Sequence, residues 1–209
     1  MRPQPLTFSS PPDDSEELAR AEIYGLLAQF LYAPPSAELY AQLQVAVTEA
    51  PARGAFLEAS FGELVAAARR LPLDAVRDEY AALFQGIGKP EVFLYGSYYL
   101  VGALNEKPLV ALRDDLAALG LTRDAAMAET EDHIAYLSEV MRLLIAGDDL
   151  SVSNLAAQKR FFATHLRPWS AGLYEALATH PTADFYRALA LFARDFFEVE
   201  AQGFDMLES

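Results

Sequence analysis

The sequence predicts an all-α fold, a single-domain helical bundle of about ten helices. Three observations lead there. Apolar residues recur at i, i+3 and i+4 along most of the chain, which is the period of one helix face. Alternating apolar and polar runs, the mark of a half-buried strand, are nearly absent. Prolines and glycines punctuate the periodic segments, as helix stops do.

Met1 to Asp14 is rich in Pro and Ser and has no apolar h-region. It reads as a disordered lead-in rather than a secretory signal, ahead of an all-helical domain over 15–205. Asp13 or Asp14 caps the first helix, with Glu16 and Glu17 at the positive end of its dipole. Its stripe is Ile23, Leu26, Leu27, Phe30 and Leu31, and Pro34 and Pro35 stop it. Ser36 caps a second helix running to about Thr48. A third carries Leu57, Phe61, Leu64, Val65 and Ala68, and Leu71-Pro72 breaks it. A fourth runs from about Leu73 to Phe84 and buries Val76, Tyr80, Leu83 and Phe84.

Gln85 to Ser97 then carries Gly86, Gly88, Pro90 and Gly96 around Phe93, Leu94 and Tyr95. Its breakers make it a loop, yet a strongly aromatic one, and no partner strand is evident for a hairpin. Pro108 opens the next helix at N1, ahead of Leu109, Leu112, Leu116 and Leu119. After Gly120 and Thr122, the spacing predicts the longest helix, about Arg123 to Ala146, with Met127, Thr130, Ile134, Leu137, Met141 and Leu144 inward. Gly147 stops it. Ser151 or Ser153 caps a helix that ends near Leu166 because Pro168 follows. Trp169 to Thr179 is helical. Thr182 caps the last helix, which carries Phe185, Leu189, Phe192, Phe196 and Val199 on one face.

Composition narrows the function. A net charge of -14 repels phosphate backbones, which argues against a nucleic-acid partner, and attracts cationic ones. With no cysteine, disulfides, thiolate metal sites, iron–sulfur clusters and cysteine nucleophiles are excluded. No stretch approaches the roughly 20 apolar residues of a membrane span. Gly86-Ile87-Gly88-Lys89 has the wrong glycine spacing for a phosphate loop, and Pro90 stands where a Ser or Thr is needed. No Gly-x-Ser-x-Gly elbow and no His-Glu-x-x-His is present.

Glu129, Asp132, His133 and Tyr136 are spaced three and four apart, so a helix places them on one stripe. Such a stripe suits a cation, and His133 can change charge near neutral pH. Its alternatives are a helical metal-binding enzyme using Glu129, His133 and His165, and a buried histidine satisfied by a neighbouring carboxylate. The Glu-x-x-x-His spacing differs from the Glu-x-x-His of di-iron bundles, and there is no second copy. In His165-Leu166-Arg167-Pro168-Trp169 the proline ends a helix and the only tryptophan anchors a core. His165 either accepts a hydrogen bond there or faces His133.

The ordered set of segments resembles the TorD/DmsD family of molybdoenzyme maturation chaperones. Tyr80-Ala81-Ala82-Leu83-Phe84 matches the family's Tyr-x-x-Leu-Phe. Tyr95-Gly96-Ser97-Tyr98-Tyr99 matches the end of its Gly-rich aromatic loop. Glu129-Thr130-Glu131-Asp132-His133 matches Glu-x-x-Asp-His, and Phe161 to Trp169 matches Phe-x-x-x-His-Leu-x-Pro-Trp. Two positions depart: Tyr95 stands where many relatives carry tryptophan, and Glu131 where many carry proline.

The resemblance implies a TorD-like helical fold and a cytoplasmic chaperone, not an enzyme. Its partners would be a molybdoenzyme catalytic subunit precursor and that precursor's twin-arginine leader. It implies no stably bound cofactor and at most weak contact with the molybdenum cofactor or a guanine nucleotide. It is compatible with a monomer or a helix-swapped dimer, with Gly86–Gly96 or Gly147–Ser153 as hinge. Under it, Leu83, Phe84, Tyr95, Tyr98 and Tyr99 line a groove beside Gly96 and Ser97. Glu129 and Asp132 meet arginines, His133 and Tyr136 orient them, and His165, Pro168 and Trp169 complete the client site. A regulatory helical module without a client is the remaining alternative.

Overall fold

The computed structural model describes residues 15–48, 57–86, 88–104, 107–124 and 128–207. Met1 to Asp14, read from sequence as a lead-in, lies outside them, as does Met127. The architecture is all-α, as the periodicity predicts. The helices are α1 (Ser15–Tyr32), α2 (Ala37–Gln44), α3 (Glu58–Arg70), α4 (Leu73–Phe84), α5 (Gly96–Val101), α6 (Lys107–Ala118), α7 (Ile134–Ala146), α8 (Leu155–Phe161), α9 (Arg167–Thr179) and α10 (Phe185–Met206). A π turn, Phe162–Leu166, joins α8 to α9. Among the described residues no helix is long and apolar enough to cross a membrane. Contacts among the described residues define two compact units, one drawn from 33–92 and 173–207, the other from 15–32 and 93–172.

In the first unit α10 packs on α3 and α4, and α2 packs on α3. The stripe predicted for α10 supplies the core: Phe185, Leu189, Phe192 and Phe196 are buried. Phe192 meets Phe61 of α3 at 5.4 Å, and Tyr186 meets Tyr80 and Phe84 of α4 edge-on. Ser36 caps α2 through the Leu39 N–H at 3.1 Å, as expected. The start of α10 differs from expectation. Thr182 does not cap it, and Asp184 occupies the N-cap without a side-chain cap bond, because Arg70 holds its carboxylate at 2.6 and 2.8 Å. Glu79 of α4 caps the helix from across the core, accepting the N–H groups of Asp184, Phe185 and Tyr186 at 2.8, 3.1 and 2.9 Å. A carboxylate at this end also complements the helix dipole.

In the second unit α1 lies along α7. Ile23, Leu26, Leu27, Phe30 and Leu31 are all buried, as are Ile134, Leu137, Met141 and Leu144. Two predicted boundaries are corrected here. The long helix expected from Arg123 begins only at Ile134, because the polar side chains of Thr130 and Asp132, the Asp132 carbonyl and the Ile134 N–H find partners outside a helix. Pro168 does not end a helix either. The chain widens into the π turn, where the Arg167 N–H reaches the Phe162 carbonyl. Pro168 then falls in the first turn of α9, where a missing N–H costs nothing. Asn154, rather than Ser151 or Ser153, caps α8 through the Ala157 N–H at 3.0 Å. Gly120, at φ 72°, closes α6 with paired bonds from Leu121 to Leu116 and from Gly120 to Ala117, a Schellman stop.

Candidate functional site

The three segments singled out after residue 93 meet inside the second unit. An isolated antiparallel bridge joins Tyr95 to His133. In it the Gly96 N–H donates to the Asp132 carbonyl at 2.9 Å and the Ile134 N–H to the Leu94 carbonyl at 2.8 Å. The aromatic loop therefore does have a partner, and it is the acidic motif. Glu129, Asp132 and His133 precede α7 rather than forming a stripe along it, and of that set Tyr136 alone is helical.

Each of these side chains is held by a specific partner. Asp132, 3% exposed, accepts the Ser97 N–H at 2.9 Å and the Ser97 hydroxyl at 2.5 Å on Oδ2, and the Thr130 hydroxyl at 2.7 Å on Oδ1. A buried carboxylate demands this saturation. The Tyr95 hydroxyl donates to Glu129. His133 is the N-cap of α7, its Nδ1 accepting the Ala135 N–H at 3.2 Å. Its ring lies among those of Tyr95, Tyr136 and Tyr32 at 5.0, 5.9 and 6.3 Å. Burial pushes the imidazole down to about 4, outweighing the opposing pull of Glu129 and Asp132. His133 is thus neutral near pH 7, which corrects the expectation of a charge change there. Burial, and next Tyr32, hold the Tyr136 phenol well above its usual range. Glu131 forms a bidentate pair with Arg113 at 3.0 and 2.9 Å, and that guanidinium draws its carboxyl down.

The third segment closes the arrangement. Trp169, 3% exposed, donates its indole N–H to the His165 carbonyl at 2.6 Å and stacks on Tyr99 at 5.7 Å. A Cβ on Gly96 would come within 2.9 Å of the indole, so this approach requires glycine. Tyr99 donates to the Phe93 carbonyl at 2.9 Å, and Tyr98 stacks on Phe93 at 4.0 Å. His165 faces Asp115, Nε2 to Oδ2 at 2.7 Å, not His133. Pro168 is exposed. Leu83 and Phe84 belong to the other unit, where Leu83 is buried and Phe84 packs on Tyr80 and Tyr186.

Around these contacts lies a partly open cavity of about 120 Å³, with Gly96, Ser97, Asp132, His165 and Trp169 in its lining and Leu100, Pro108, Ala111 and Leu112 completing an apolar wall. Sequence reasoning missed this α5–α6 wall, along with Tyr32 and Asp115. The Pro108, Ala111 and Asp115 spacing was the available signal, since it gives one helix face. Glu129, His133 and His165, considered for a metal, each have a different partner. Among the described residues no group of three or more acidic or histidine side chains is placed to hold a metal ion.

A family model described as nitrate reductase delta subunit matches residues 50–175. That is more than half of the chain, and the chain belongs to this family. Relatives named chaperone protein TorD are similar to it. The one from Vibrio cholerae is 28% identical over 205 residues, covering 90% of this chain and 93% of that protein. The one from Aliivibrio salmonicida is 27% identical over 132 residues, 59% of this chain and 61% of that protein. A solved structure from Archaeoglobus fulgidus, described as a redox enzyme maturation protein, shares the fold with a TM-score of 0.56 at 16% identity, covering 94% of this chain and 98% of that one. The chain is accordingly a chaperone of the TorD family rather than an enzyme.

Proposed function

We propose that the chain is a cytoplasmic chaperone that binds the catalytic subunit precursor of a molybdoenzyme together with its twin-arginine leader, and holds that client until its cofactor is inserted. The observation that carries this reading is the convergence of the aromatic, acidic and His-Leu-Arg-Pro-Trp segments on one partly open, apolar-walled cavity. A leader of this kind offers an apolar segment for such a wall. Its arginines suit a chain of net charge -14, which speeds encounter in a salt-sensitive way. Asp132 is committed to Ser97 and Thr130, so the arginines fall to carboxylates nearer the surface. The reading requires no tightly held cofactor of the chain's own.

Two measurements test it. Affinity purification should retain a molybdoenzyme catalytic subunit carrying an Arg-Arg leader. Calorimetry with a leader peptide should give saturable binding that weakens with salt and with replacement of both arginines by lysine, which lacks the planar fork. Absence of both the subunit and the peptide binding would leave a helical module with no export client.

A further inference from the structure

Helices α5 and α6 of the second unit expose apolar side chains, one of which also lines the cavity. Leu100, on the short helix α5, is 41% exposed and also lines the cavity. Val101 and Leu104 beside it are exposed, as is Val110 on α6. Pro108 and Ala111 form the α6 wall of the cavity. One turn further, on the same helix face, stands Asp115, whose side chain is 42% exposed although it already holds His165. The cavity rim is therefore apolar at Leu100, Pro108 and Ala111 and anionic one turn beyond it, where Asp114 is exposed too. A cavity with an apolar rim and an accessible carboxylate one helical turn away suits a peptide that presents an apolar side chain and a cation.

We infer that the cavity and the carboxylate beyond its rim receive the client leader, through one large apolar side chain seated in the cavity against Trp169 and one arginine paired with Asp115, so that these two unlike contacts fix both the register and the direction of the peptide. The inference rests on the reading above and deepens it by naming the contact surface and its chemistry. Four residues separate Ala111 from Asp115, about 6 Å along the helix. The leader's apolar anchor and its arginine therefore lie about one helical turn apart, or about two residues apart if the leader is extended. A cavity of about 120 Å³ admits one side chain and not a folded segment, so selectivity falls on the size of that side chain. His165 holds the carboxylate of Asp115 in place while leaving it accessible.

The experiment uses the full chain and a synthetic peptide with two adjacent arginines followed by an apolar segment. Trp169 is the only tryptophan, so its emission reports occupancy of the cavity directly. Ala111→Phe adds a ring at the cavity mouth from an exposed helix position, and Ala117→Phe adds the same ring to α6 at an exposed position outside the lining. Asp115→Asn keeps a hydrogen-bonding side chain toward His165 and removes the charge. Peptide binding to the unmodified chain should shift Trp169 emission. Ala111→Phe should weaken binding roughly tenfold or more, and Ala117→Phe should leave it unchanged. Asp115→Asn should weaken it roughly fivefold and flatten its salt dependence. If the peptide binds the unmodified chain while Ala111→Phe and Ala117→Phe behave alike, or with no change in Trp169 emission, the receptor lies elsewhere and the chaperone reading survives without this surface. If the peptide does not bind the unmodified chain, this surface is overturned, and the chaperone reading falls with it only if no molybdoenzyme catalytic subunit co-purifies.

Discussion

Ser97 gives both its backbone N–H and its hydroxyl to one oxygen of Asp132, at 2.9 and 2.5 Å. The two residues come from segments 35 positions apart, and the pair pins the aromatic loop to the strand-like lead into α7. Asp132→Ala leaves the Ser97 donors buried without their acceptor. We expect a loss of about 1–3 kcal/mol in unfolding free energy, read by urea denaturation. An unchanged midpoint would mean that the clasp carries no stability.

Gly96→Ala tests the approach of loop to tryptophan. The added methyl comes within 2.9 Å of the buried indole, so the ring, its bond to the His165 carbonyl, or the Tyr99 stack must shift. Overpacking of this kind costs about 1–3 kcal/mol. A changed Trp169 emission in the unliganded variant should accompany the thermal destabilisation.

His133 makes stability pH-dependent. Its imidazole is pushed from its usual 6.5 down to about 4 in the folded chain. Above about pH 6.5 both folded and unfolded states hold it neutral and its contribution is complete. As pH falls, the unfolded chain takes up the proton first, so stability declines down to about pH 4, by on the order of 3 kcal/mol. Protonation there also removes the acceptor for the Ala135 N–H. His133→Asn keeps a side-chain acceptor at the N-cap and does not titrate, so its denaturation midpoint should vary less between pH 7 and pH 4.5 than that of the unmodified chain.

Glu79→Ala removes the carboxylate that accepts three N–H groups at the start of α10. A loss of about 1–2 kcal/mol is expected, with Glu79→Gln intermediate because one oxygen acceptor remains. Amide exchange at Phe185 and Tyr186 should quicken in both variants, more so in Glu79→Ala.

The helical class, and α4 with both of its boundaries, were legible because the apolar period and the breakers agree there. The segment from Glu129 to His133 misled for a reason specific to it. Its spacing is compatible with a helix face, yet Asp132 is taken by Ser97 and Gly96 and the Ile134 N–H just after it by Leu94, and local pattern carries no record of partners some 35 residues away. Pro168 misled in the opposite sense. A proline normally ends a helix, and one extra residue in the preceding turn lets the helical path continue.

The residue types of the site were likewise in the sequence, but their roles were not. Asp132 reads as a cation-binding carboxylate and His133 as a titrating group; burial makes the first a clasp and the second a neutral cap. The sequence by itself determined the helical class, the acidic character and the family, because these depend on local periodicity, composition and motif order. Only the tertiary structure decided which carboxylate stays accessible, Asp115 rather than Asp132, and where the cavity opens. Exposure and hydrogen-bond saturation depend on which distant segments pack together, and no local spacing encodes that.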